Sequence, residues 1–345
     1  MNVRLQDLED DQHEADLPDR SRRPSARIRR SPALGRLGHV LAVLLTTTVV
    51  TMLMMDLVPG DPAVAVLGEA ATPDQIERIH AELGLDRPFH ERYLRWVGDA
   101  VQGDLGTSFR SNRPVVDAIR ERLPVTLELA VLALLVALVV AIPLGVLAAA
   151  HAGRRFDRVI LLLTSISISS PAFLTGLVLS YLLALRWDLV PVTGWVRLSE
   201  DLAENLRTAA LPAVTLAIGE AAVFIRMLRA DMVTTLQENY IAVARAKGMS
   251  PAQILIRHAL RPSSFSLVTV AGLALGRLIG GAIVVETLFS LPGVGSLLLD
   301  GVLSKDLAVV QGVVVFVAVV YVLINAVVDW SYSALDPRTR VEVRR

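Results

Sequence analysis

The most constraining feature of this chain is a series of six apolar runs, each about twenty residues or longer. An α-helix rises ~1.5 Å per residue, so about twenty residues are enough to cross the ~30 Å hydrocarbon layer of a bilayer. The runs therefore predict an all-α integral membrane protein with six transmembrane helices. The predicted spans are Leu37–Val58, Val125–Ala150, Val159–Leu185, Ala209–Leu228, Phe265–Leu288 and Leu307–Val328.

Some of these spans contain interior prolines, such as Pro143 and Pro171. A proline frees a backbone carbonyl, which neighbouring helices or nearby hydroxyl groups can satisfy inside a membrane. The stretch Ser165–Ser170, directly before Pro171, supplies four such hydroxyls. We therefore expect the third span to be kinked and to face the helix bundle at this point.

The overall composition supports a membrane protein and excludes several other classes. Hydrophobic residues make up 53% of the chain, charged residues 20%, and the mean hydropathy is +0.53. A soluble domain carries about 25% charged residues. The net charge is zero, so no overall positive field attracts nucleic acid. The absence of cysteine excludes a disulfide framework, a thiolate nucleophile and a cysteine metal site.

The distribution of arginine predicts the orientation of the chain, because lysine and arginine near helix ends favour the cytoplasmic side. Arginines cluster before span 1, between spans 2 and 3, between spans 4 and 5, and after span 6. The loops between spans 3 and 4 and between spans 5 and 6 are not basic overall. We therefore expect a multi-pass protein of the bacterial plasma membrane, with both charged tails, residues 1–36 and 336–345, in the cytoplasm.

The segment between spans 1 and 2 is long enough to form a small external subdomain, which we assign with span 1 to residues 37–123. Long loops are translocated largely regardless of their charge. Within this segment, Thr72 can cap a helix, Pro73 suits the first turn, and Ile76 and Ile79 fall on one face. The pattern predicts a helix at Pro73–Leu83.

A cleaved signal peptide is the alternative interpretation of span 1, because Ala63-Val64-Ala65 resembles a cleavage site. The apolar run is too long for a signal peptide, however, and Asp56 and Pro59 lie between the run and that site. We expect span 1 to be retained as an anchor.

The residues needed for the common enzyme chemistries are missing. A phosphate-binding loop needs Gly-Lys-Ser/Thr, but the two lysines, Lys247 and Lys305, are followed by glycine and aspartate. His90-Glu91 begins a zinc-protease motif, yet Leu94 occupies the position of the second histidine ligand. We expect no enzyme activity, no metal site and no cofactor bound by this chain itself.

The segment Gln237–Pro262 is basic and is placed in the cytoplasm by the predicted topology. Ser250 can cap a helix with Pro251 at its first position and Gln253 as the partner of a capping box. The pattern predicts two short helices around a break at Gly248. One interpretation is an amphipathic helix resting on lipid headgroups. The other is a surface for a protein partner, which is favoured by a run of small residues at Ala242, Ala244, Ala246 and Gly248.

This segment resembles the conserved cytoplasmic EAA loop of binding-protein-dependent ABC permeases. The sequence ARAKGMSPAQILIRHALRP is similar to the version in dipeptide, oligopeptide and nickel permeases, and residues 103–130 and 284–312 match the same subfamily. The resemblance implies a type I importer permease fold, with a core at 124–335 and a coupling loop at 237–262. The residues implied in coupling are Glu238, Ala242, Ala244, Ala246, Gly248, Arg257, His258 and Pro262.

The resemblance also implies the partners of the chain. These are a second, related permease subunit, two ATP-binding subunits that hold ATP and magnesium, an extracytoplasmic solute-binding protein, and the lipid bilayer. One departure stands out: the leading glutamate of the family loop falls on Ala242 here, so that its interaction is absent or shifted to Glu238.

Several charged residues lie inside the predicted spans, among them Glu220, Arg277 and Glu286. An isolated charge at the bilayer centre costs ~2.5–3.5 kcal/mol on insertion scales, so such residues face a bundle interior, a partner or a wet cavity. Glu220 and Arg277 fall at similar depth, and we expect them to pair or to line the translocation pathway together. The alternative is that each contacts the second permease chain or a backbone carbonyl. Glu286 lies near the outer end of its span, where we expect water to reach it.

The function favoured by the sequence is that of a permease subunit of an ATP-driven importer, which forms half of a pathway for small peptides or a related solute such as a nickel chelate. The rival is a secondary transporter that works alone on an ion gradient. Such carriers usually contain an internal repeat and discontinuous helices, and no second copy of the 237–262 pattern occurs.

Overall fold

Helices form nearly all of the chain in the computed structural model, which describes residues 32–57, 61–67 and 71–335. Within these ranges one isolated antiparallel β-bridge joins Thr107 to Pro114. Two π-helical segments, Ser180–Arg186 and Ile254–Leu260, extend α7 and lead into α11. The α-helices in chain order are α1 (Pro32–Leu57), α2 (Pro62–Leu67), α3 (Pro73–Leu83), α4 (Phe89–Val101), α5 (Val115–Ala150), α6 (Arg155–Ser169), α7 (Ala172–Leu179), α8 (Leu202–Thr235), α9 (Asn239–Ala246), α10 (Pro251–Gln253), α11 (Arg261–Leu288), α12 (Val294–Leu303) and α13 (Leu307–Leu335).

Residues up to Leu41 and those from Ala42 onward form two separate units. The packing described below is that of the second unit. The charged tail at residues 1–31 and the C-terminal tail at 336–345 lie outside the described residues.

Five helices in the described residues are long and apolar enough to cross a membrane, and a bent pair of helices provides a sixth crossing if it counts as one span. The predicted all-helical membrane fold is therefore confirmed. The five are Val40–Leu57, Val115–Ala150, Leu202–Thr235, Pro251–Leu288 and Leu307–Val328.

The third predicted span, Val159–Leu185, is not one helix. It consists of α6 and the pair formed by α7 and its π-helical extension, which are bent by 109° at the break between Ser169 and Ala172. The cause is Pro171, which pushes the preceding residue out of the helical region: Ser170 has φ −84° and ψ 125°. The hydroxyls of Ser165, Ser167 and Ser170 donate to backbone carbonyls one turn earlier. The predicted bend is thus present, but the angle of 109° makes it a break between two helices instead of a kink within one.

Helix ends differ from the predicted spans because an apolar run marks the part of a helix that suits lipid, not the whole helix. α5 begins at Val115 instead of Val125, and α8 begins at Leu202 instead of Ala209. The start of α8 is set by Asp201, whose carboxylate accepts hydrogen bonds from the backbone N–H groups of Ala203 and Glu204. Such polar caps determine where a helix starts outside the lipid, and the hydropathy of the sequence does not predict that position.

The centre of the bundle is the packing of α5 against α8 through small side chains. On both helices buried alanines recur at spacings of three and four residues, which places them on one face. Lipid tails are as apolar as these side chains, so helix association in a membrane depends on close packing, and small residues allow the backbones to approach. The alanines are Ala130, Ala133, Ala137, Ala141 and Ala148 on α5, with Ala213, Ala217 and Ala221 on α8.

The helix predicted at Pro73–Leu83 is confirmed as α3, and the Thr72 N–H donates to the Gln75 side chain at 2.9 Å, as in a capping box. Beside it, the Asp61 carboxylate accepts hydrogen bonds from the Ala63 N–H and the His80 ring at 2.8 Å each. The hydrogen bond with His80 holds the pKa of Asp61 below its usual range.

This subdomain is fixed to the rest of the chain by α4 and the loop after it. Tyr93 and Thr48 of α1 share a buried hydrogen bond of 2.7 Å, and Arg92 pairs with Asp56 of α1 at 2.7 Å. In the following loop, Ser108 donates to Asp306 at 2.6 Å. α4 and the loop after it are therefore held against α1 and against the residue that precedes α13.

A buried ion pair closes the other end of the bundle. Both nitrogens of the Arg229 fork donate to the Asp157 carboxylate, at 2.8 Å and 2.7 Å, and the Gly153 N–H adds a third hydrogen bond. Asp157 is 1% exposed. The pair joins the first turn of α6 to α8 and so fixes the helix that leads into the segment Gln237–Pro262.

We predict that Asp157→Asn lowers the thermal unfolding midpoint of the purified protein and its yield in membranes. Removing one partner of a buried pair leaves the other charge uncompensated, at a cost of ~3–5 kcal/mol. The measurement is the midpoint of thermal aggregation in detergent. The matched control is Arg207→Gln, because Arg207 pairs with Glu204 on an exposed surface and such pairs contribute ~0–1 kcal/mol. Equal losses in the two variants would contradict a stabilising role for the Asp157–Arg229 pair.

Candidate functional site

The segment Gln237–Pro262, called the coupling segment below, consists of two short helices joined by a turn, as predicted. α9 ends at Ala246, and the chain reverses at Gly248, whose φ of +75° lies in the left-handed region that favours glycine. The next helix begins with the predicted capping box: the Gln253 N–H donates to the Ser250 hydroxyl and the Ser250 N–H donates to the Gln253 side chain, both at 3.3 Å.

The apolar side of the coupling segment is packed against itself. Ile241, Ala244 and Ile254 are buried together, with Leu236 and Met249 at the edge of the cluster. The predicted run of exposed small residues is therefore wrong at Ala244. Residues two apart in a helix lie on nearly opposite faces, so Ala242 and Ala246 are exposed while Ala244 points inward.

The outward face of the coupling segment is apolar and basic. Tyr240, Val243 and Ile256 are 47%, 54% and 61% exposed. Around them lie the exposed Arg245, Lys247 and Arg257. Bare apolar side chains surrounded by polar ones are typical of a surface that a protein partner covers.

The remaining predicted residues of this segment serve its framework. Glu238 is exposed at the start of α9, where its side chain makes no capping hydrogen bond. The Tyr240 hydroxyl donates to the His258 carbonyl at 3.2 Å, which ties the two short helices together. Pro262 is in the first turn of α11.

Glu220 and Arg277 form an ion pair between α8 and α11, in which Arg277 Nη2 lies 2.8 Å from Glu220 Oε2. The predicted pairing is therefore present. The pair is not sealed in the bundle: the Glu220 side chain is 16% exposed and that of Arg277 is 45% exposed. The two charges therefore border an open space.

That space is a cavity of about 210 Å³ at the break between α6 and α7. Its lining combines the ion pair with hydroxyl groups and with glycines that leave room beside the helices. Besides Glu220 and Arg277, the wall includes Ser167, Ser170, Thr175, Thr215, Gly219 and Gly281. The arrangement offers a donor-and-acceptor-rich surface at the middle of two membrane helices.

Glu286, the third predicted pathway residue, occupies a different environment. It is 0% exposed and accepts hydrogen bonds from the Thr126 hydroxyl at 2.6 Å and the Ser296 N–H at 3.0 Å. A side chain on Gly293 would collide with this carboxylate, so only glycine allows the loop to close over it. The expectation that water reaches Glu286 is wrong, because the loop after α11 folds back onto it. Its contacts join α5, α11 and α12.

Sequence reasoning did not find the Asp157–Arg229 pair, although a weak signal exists. Asp157 is the one acidic residue among Arg154, Arg155 and Arg158. An acid amid positive charge at the start of a span suggests a specific cation partner, but its identity depends on how α6 and α8 pack.

Comparison with known proteins identifies the family of the chain. Residues 141–341 match the family described as "Binding-protein-dependent transport system inner membrane component", and residues 33–130 match the N-terminal component of the same transport systems. The matched residues include α8, the coupling segment, α11 and the Glu220–Arg277 pair.

Several relatives match over nearly their whole length. The chain is 38% identical over 331 residues to the dipeptide transport system permease protein DppB of Escherichia coli, covering 89% of this chain and 98% of the relative. It is 38% identical over 309 residues to a Brucella abortus protein provisionally named as a peptide transport system permease, covering 90% and 98%. The chain therefore belongs to the family of binding-protein-dependent transport system inner membrane components.

Proposed function

We propose that this chain forms half of the translocation pathway of an ATP-driven importer for small peptides. It is a multi-pass membrane permease of the type I ABC fold and not the ATP-hydrolysing subunit, since this family works with separate ATPase subunits. Peptide as the substrate class is supported by the names of the relatives matched over 98% of their length. Family membership disfavours the alternative of a carrier that works alone on an ion gradient.

The observation that carries the proposal is the outward face of the coupling segment. The segment buries its own apolar cluster and still exposes Tyr240, Val243 and Ile256. In our proposal, an ATP-binding subunit covers this face. When ATP binds, the two ATP-binding subunits close on each other and move the coupling segment. The complete transporter comprises this chain, a second related permease, two ATP-binding subunits and a solute-binding protein. ATP and magnesium are held by the ATP-binding subunits, and this chain holds no cofactor.

The pathway itself is proposed to pass the Glu220–Arg277 pair. A peptide carries an ammonium group and a carboxylate, and the cavity beside the pair offers one charge of each sign together with hydroxyl groups. Glu286 is not part of this proposal, because it is enclosed by α5 and the loop before α12.

We predict that Gly248→Arg reduces uptake of a labelled dipeptide to less than about a tenth of the wild-type rate, equivalent to ~1.4 kcal/mol or more. A bulky cation at this turn keeps the ATP-binding subunit from approaching. The matched control is Gly153→Arg, because Gly153 has a similar φ of +78° and also has open space around it. Uptake is measured in cells with the complete transporter, with membrane levels checked by immunoblot. Normal uptake by Gly248→Arg would remove the coupling segment from the mechanism.

The proposed topology, with both termini in the cytoplasm, predicts where introduced cysteines are accessible. The chain has no native cysteine, so the background is zero. Ser111→Cys and Ser199→Cys should react with an impermeant thiol reagent in intact cells, whereas Ala152→Cys and Ser250→Cys should react only after the membrane is opened. All four positions are exposed, so a failure to react reports the membrane side. Labelling of Ala152→Cys in sealed cells would contradict this topology.

The Glu220–Arg277 pair is tested by a double-mutant cycle with Glu220→Gln and Arg277→Gln. Each single change leaves one charge without its partner, so the double variant should transport better than the sum of the two losses predicts, by ~0.5–3 kcal/mol in rate terms. Transport and the yield of folded protein are both measured, so that a loss of folding is recognised. Strictly additive losses would show that the two side chains do not act together.

A further inference from the structure

The first turn of α12 is capped by side chains that belong to other helices. A helix leaves its first backbone N–H groups without partners of its own. The Val294 N–H donates to the Thr126 hydroxyl of α5 at 2.9 Å. The Ser296 N–H donates to Glu286 Oε2 of α11 at 3.0 Å, and the Gly295 N–H also interacts with this carboxylate. The N-terminus of α12 is therefore satisfied by α5 and α11.

Glu286 serves as the anion at this helix N-terminus. Its side chain is 0% exposed and forms no ion pair within the described part of the chain. The positive end of a helix dipole favours a negative charge, so the start of α12 supplies the compensation that a cation would otherwise give. The Thr126 hydroxyl donates to Glu286 Oε1 at 2.6 Å. The carboxylate thus joins α11 directly to α12, and to α5 through one hydroxyl group.

Two glycines allow α12 to approach Glu286 this closely. A Cβ on Gly293 would collide with the carboxylate. A Cβ on Gly295 would collide with the backbone of Ile283 as well as with Glu286. The start of α12 is therefore interlocked with the last turns of α11, and it cannot slide along them without breaking hydrogen bonds.

The apolar side of α12 packs against different helices. Among the described residues, the cluster that contains Val294 and Leu297 includes no side chain of α11. Apolar contacts are non-directional and tolerate small shifts, whereas a hydrogen bond weakens steeply with distance and angle. We therefore expect α12 to follow α11 when the helices move. The other buried members of the cluster are Val115 and Ile119 of α5, with Val309 and Val313 of α13.

α12 also forms one wall of a cavity of about 580 Å³, called the outer cavity below. In the proposed topology this cavity lies on the side of the membrane opposite the coupling segment. Arg122 of α5 lies 3.7 Å from Asp300 of α12, but their side chains are 32% and 64% exposed, and such exposed pairs contribute little. A displacement of α12 would therefore change the shape of the outer cavity. The residues of α12 in its wall are Leu297, Asp300, Gly301 and Ser304.

Glu286 is connected to the coupling segment by continuous helix. The helix from Pro251 to Leu288 begins inside the coupling segment and carries Glu286 close to its other end. The two ends are ~50 Å apart by helical rise. A displacement of the coupling segment along this helix therefore reaches Glu286, and through Glu286 it reaches α12.

We propose that Glu286 is a positioning residue for transport, which transfers the movement of α11 to α12 and so reshapes the outer cavity when the coupling segment moves. The carboxylate acts by holding the N–H groups of α12, and it does not contact the solute. Because this role needs a coupling segment that is moved by ATP-binding subunits, it rests on the proposed function.

The test follows the reactivity of one introduced cysteine, Ser304→Cys, in the wall of the outer cavity. The chain has no native cysteine. The complete transporter, purified with its ATP-binding subunits, is treated with a thiol reagent in the presence and absence of ATP and vanadate. We expect the nucleotide to change the reaction rate about threefold or more, because closure shifts the population of two arrangements of α12. Adding Glu286→Gln should abolish this change.

Three further variants distinguish transfer of movement from a general effect on stability. Gly293→Ala keeps the charge of Glu286 but displaces its carboxylate, so it should also abolish the nucleotide-dependent change, and it keeps the test informative if Glu286→Gln fails to fold. Thr126→Val removes the hydroxyl of α5 and leaves Glu286 bound to α12, so the change should remain. The matched control is Glu200→Gln, which neutralises an exposed acid in the loop before α8.

Dipeptide uptake and ATP hydrolysis are measured on the same variants, and elution as a single peak in size exclusion confirms that each is folded. Glu286→Gln should reduce uptake about tenfold while ATP hydrolysis continues, since hydrogen bonds to a charged group are lost. A variant that is merely unstable would lose both activities.

A nucleotide-dependent change that persists in both Glu286→Gln and Gly293→Ala would overturn the proposal. Its loss in Thr126→Val to the same extent would also overturn it, because the link between α11 and α12 is intact in that variant. If the wild type takes up dipeptide but Ser304→Cys reacts at the same rate with and without nucleotide, the role of Glu286 fails and the proposed function stands. Absence of uptake by the wild-type transporter would overturn both.

Discussion

The absence of water in the hydrocarbon layer is the constraint on which the rest of this structure depends. Every backbone amide and every charge within the spans must find a partner inside the protein. The long helices meet the first requirement by themselves. Where Pro171 interrupts the third span, serine hydroxyls donate to carbonyls one turn back. The chain can then bend by 109° and open a polar cavity at the break.

The charges within the bundle satisfy the same constraint in three different ways. Asp157 and Arg229 neutralise each other in a closed, doubly hydrogen-bonded pair. Glu286 accepts hydrogen bonds from the Thr126 hydroxyl of α5 and the Ser296 N–H of α12, beside the loop that contains Gly293. Glu220 and Arg277 also pair, but beside open space. The first two arrangements join neighbouring helices, whereas the third leaves both charged side chains partly exposed.

The sequence predicted features that depend on neighbouring residues. The helix at Pro73–Leu83, the capping box at Ser250 and the six apolar segments follow from spacing, caps and hydropathy, and the Glu220–Arg277 pair follows from equal depth. What could not be predicted depends on how distant segments pack. The burial of Glu286 requires the loop at Gly293 to fold back, and the inward direction of Ala244 is settled by its contact with Ile254. The partner of Asp157 belongs to this second group.

The coupling segment has a mechanical consequence that follows from its place in the chain. α8 and the helix from Pro251 to Leu288 form the two arms of one hairpin, and the coupling segment is its tip. Glu220 and Arg277 lie on opposite arms, each about fifteen residues from the tip. A displacement applied at the tip therefore reaches them through continuous helix, without passing through side-chain packing. Sliding one arm by two residues shifts it by ~3 Å, which would lengthen a hydrogen bond of 2.8 Å beyond the hydrogen-bonding range. The distance between the two side chains therefore depends on the register of the hairpin. The side chains are paired when the arms are aligned, and they would separate if the tip moved one arm past the other.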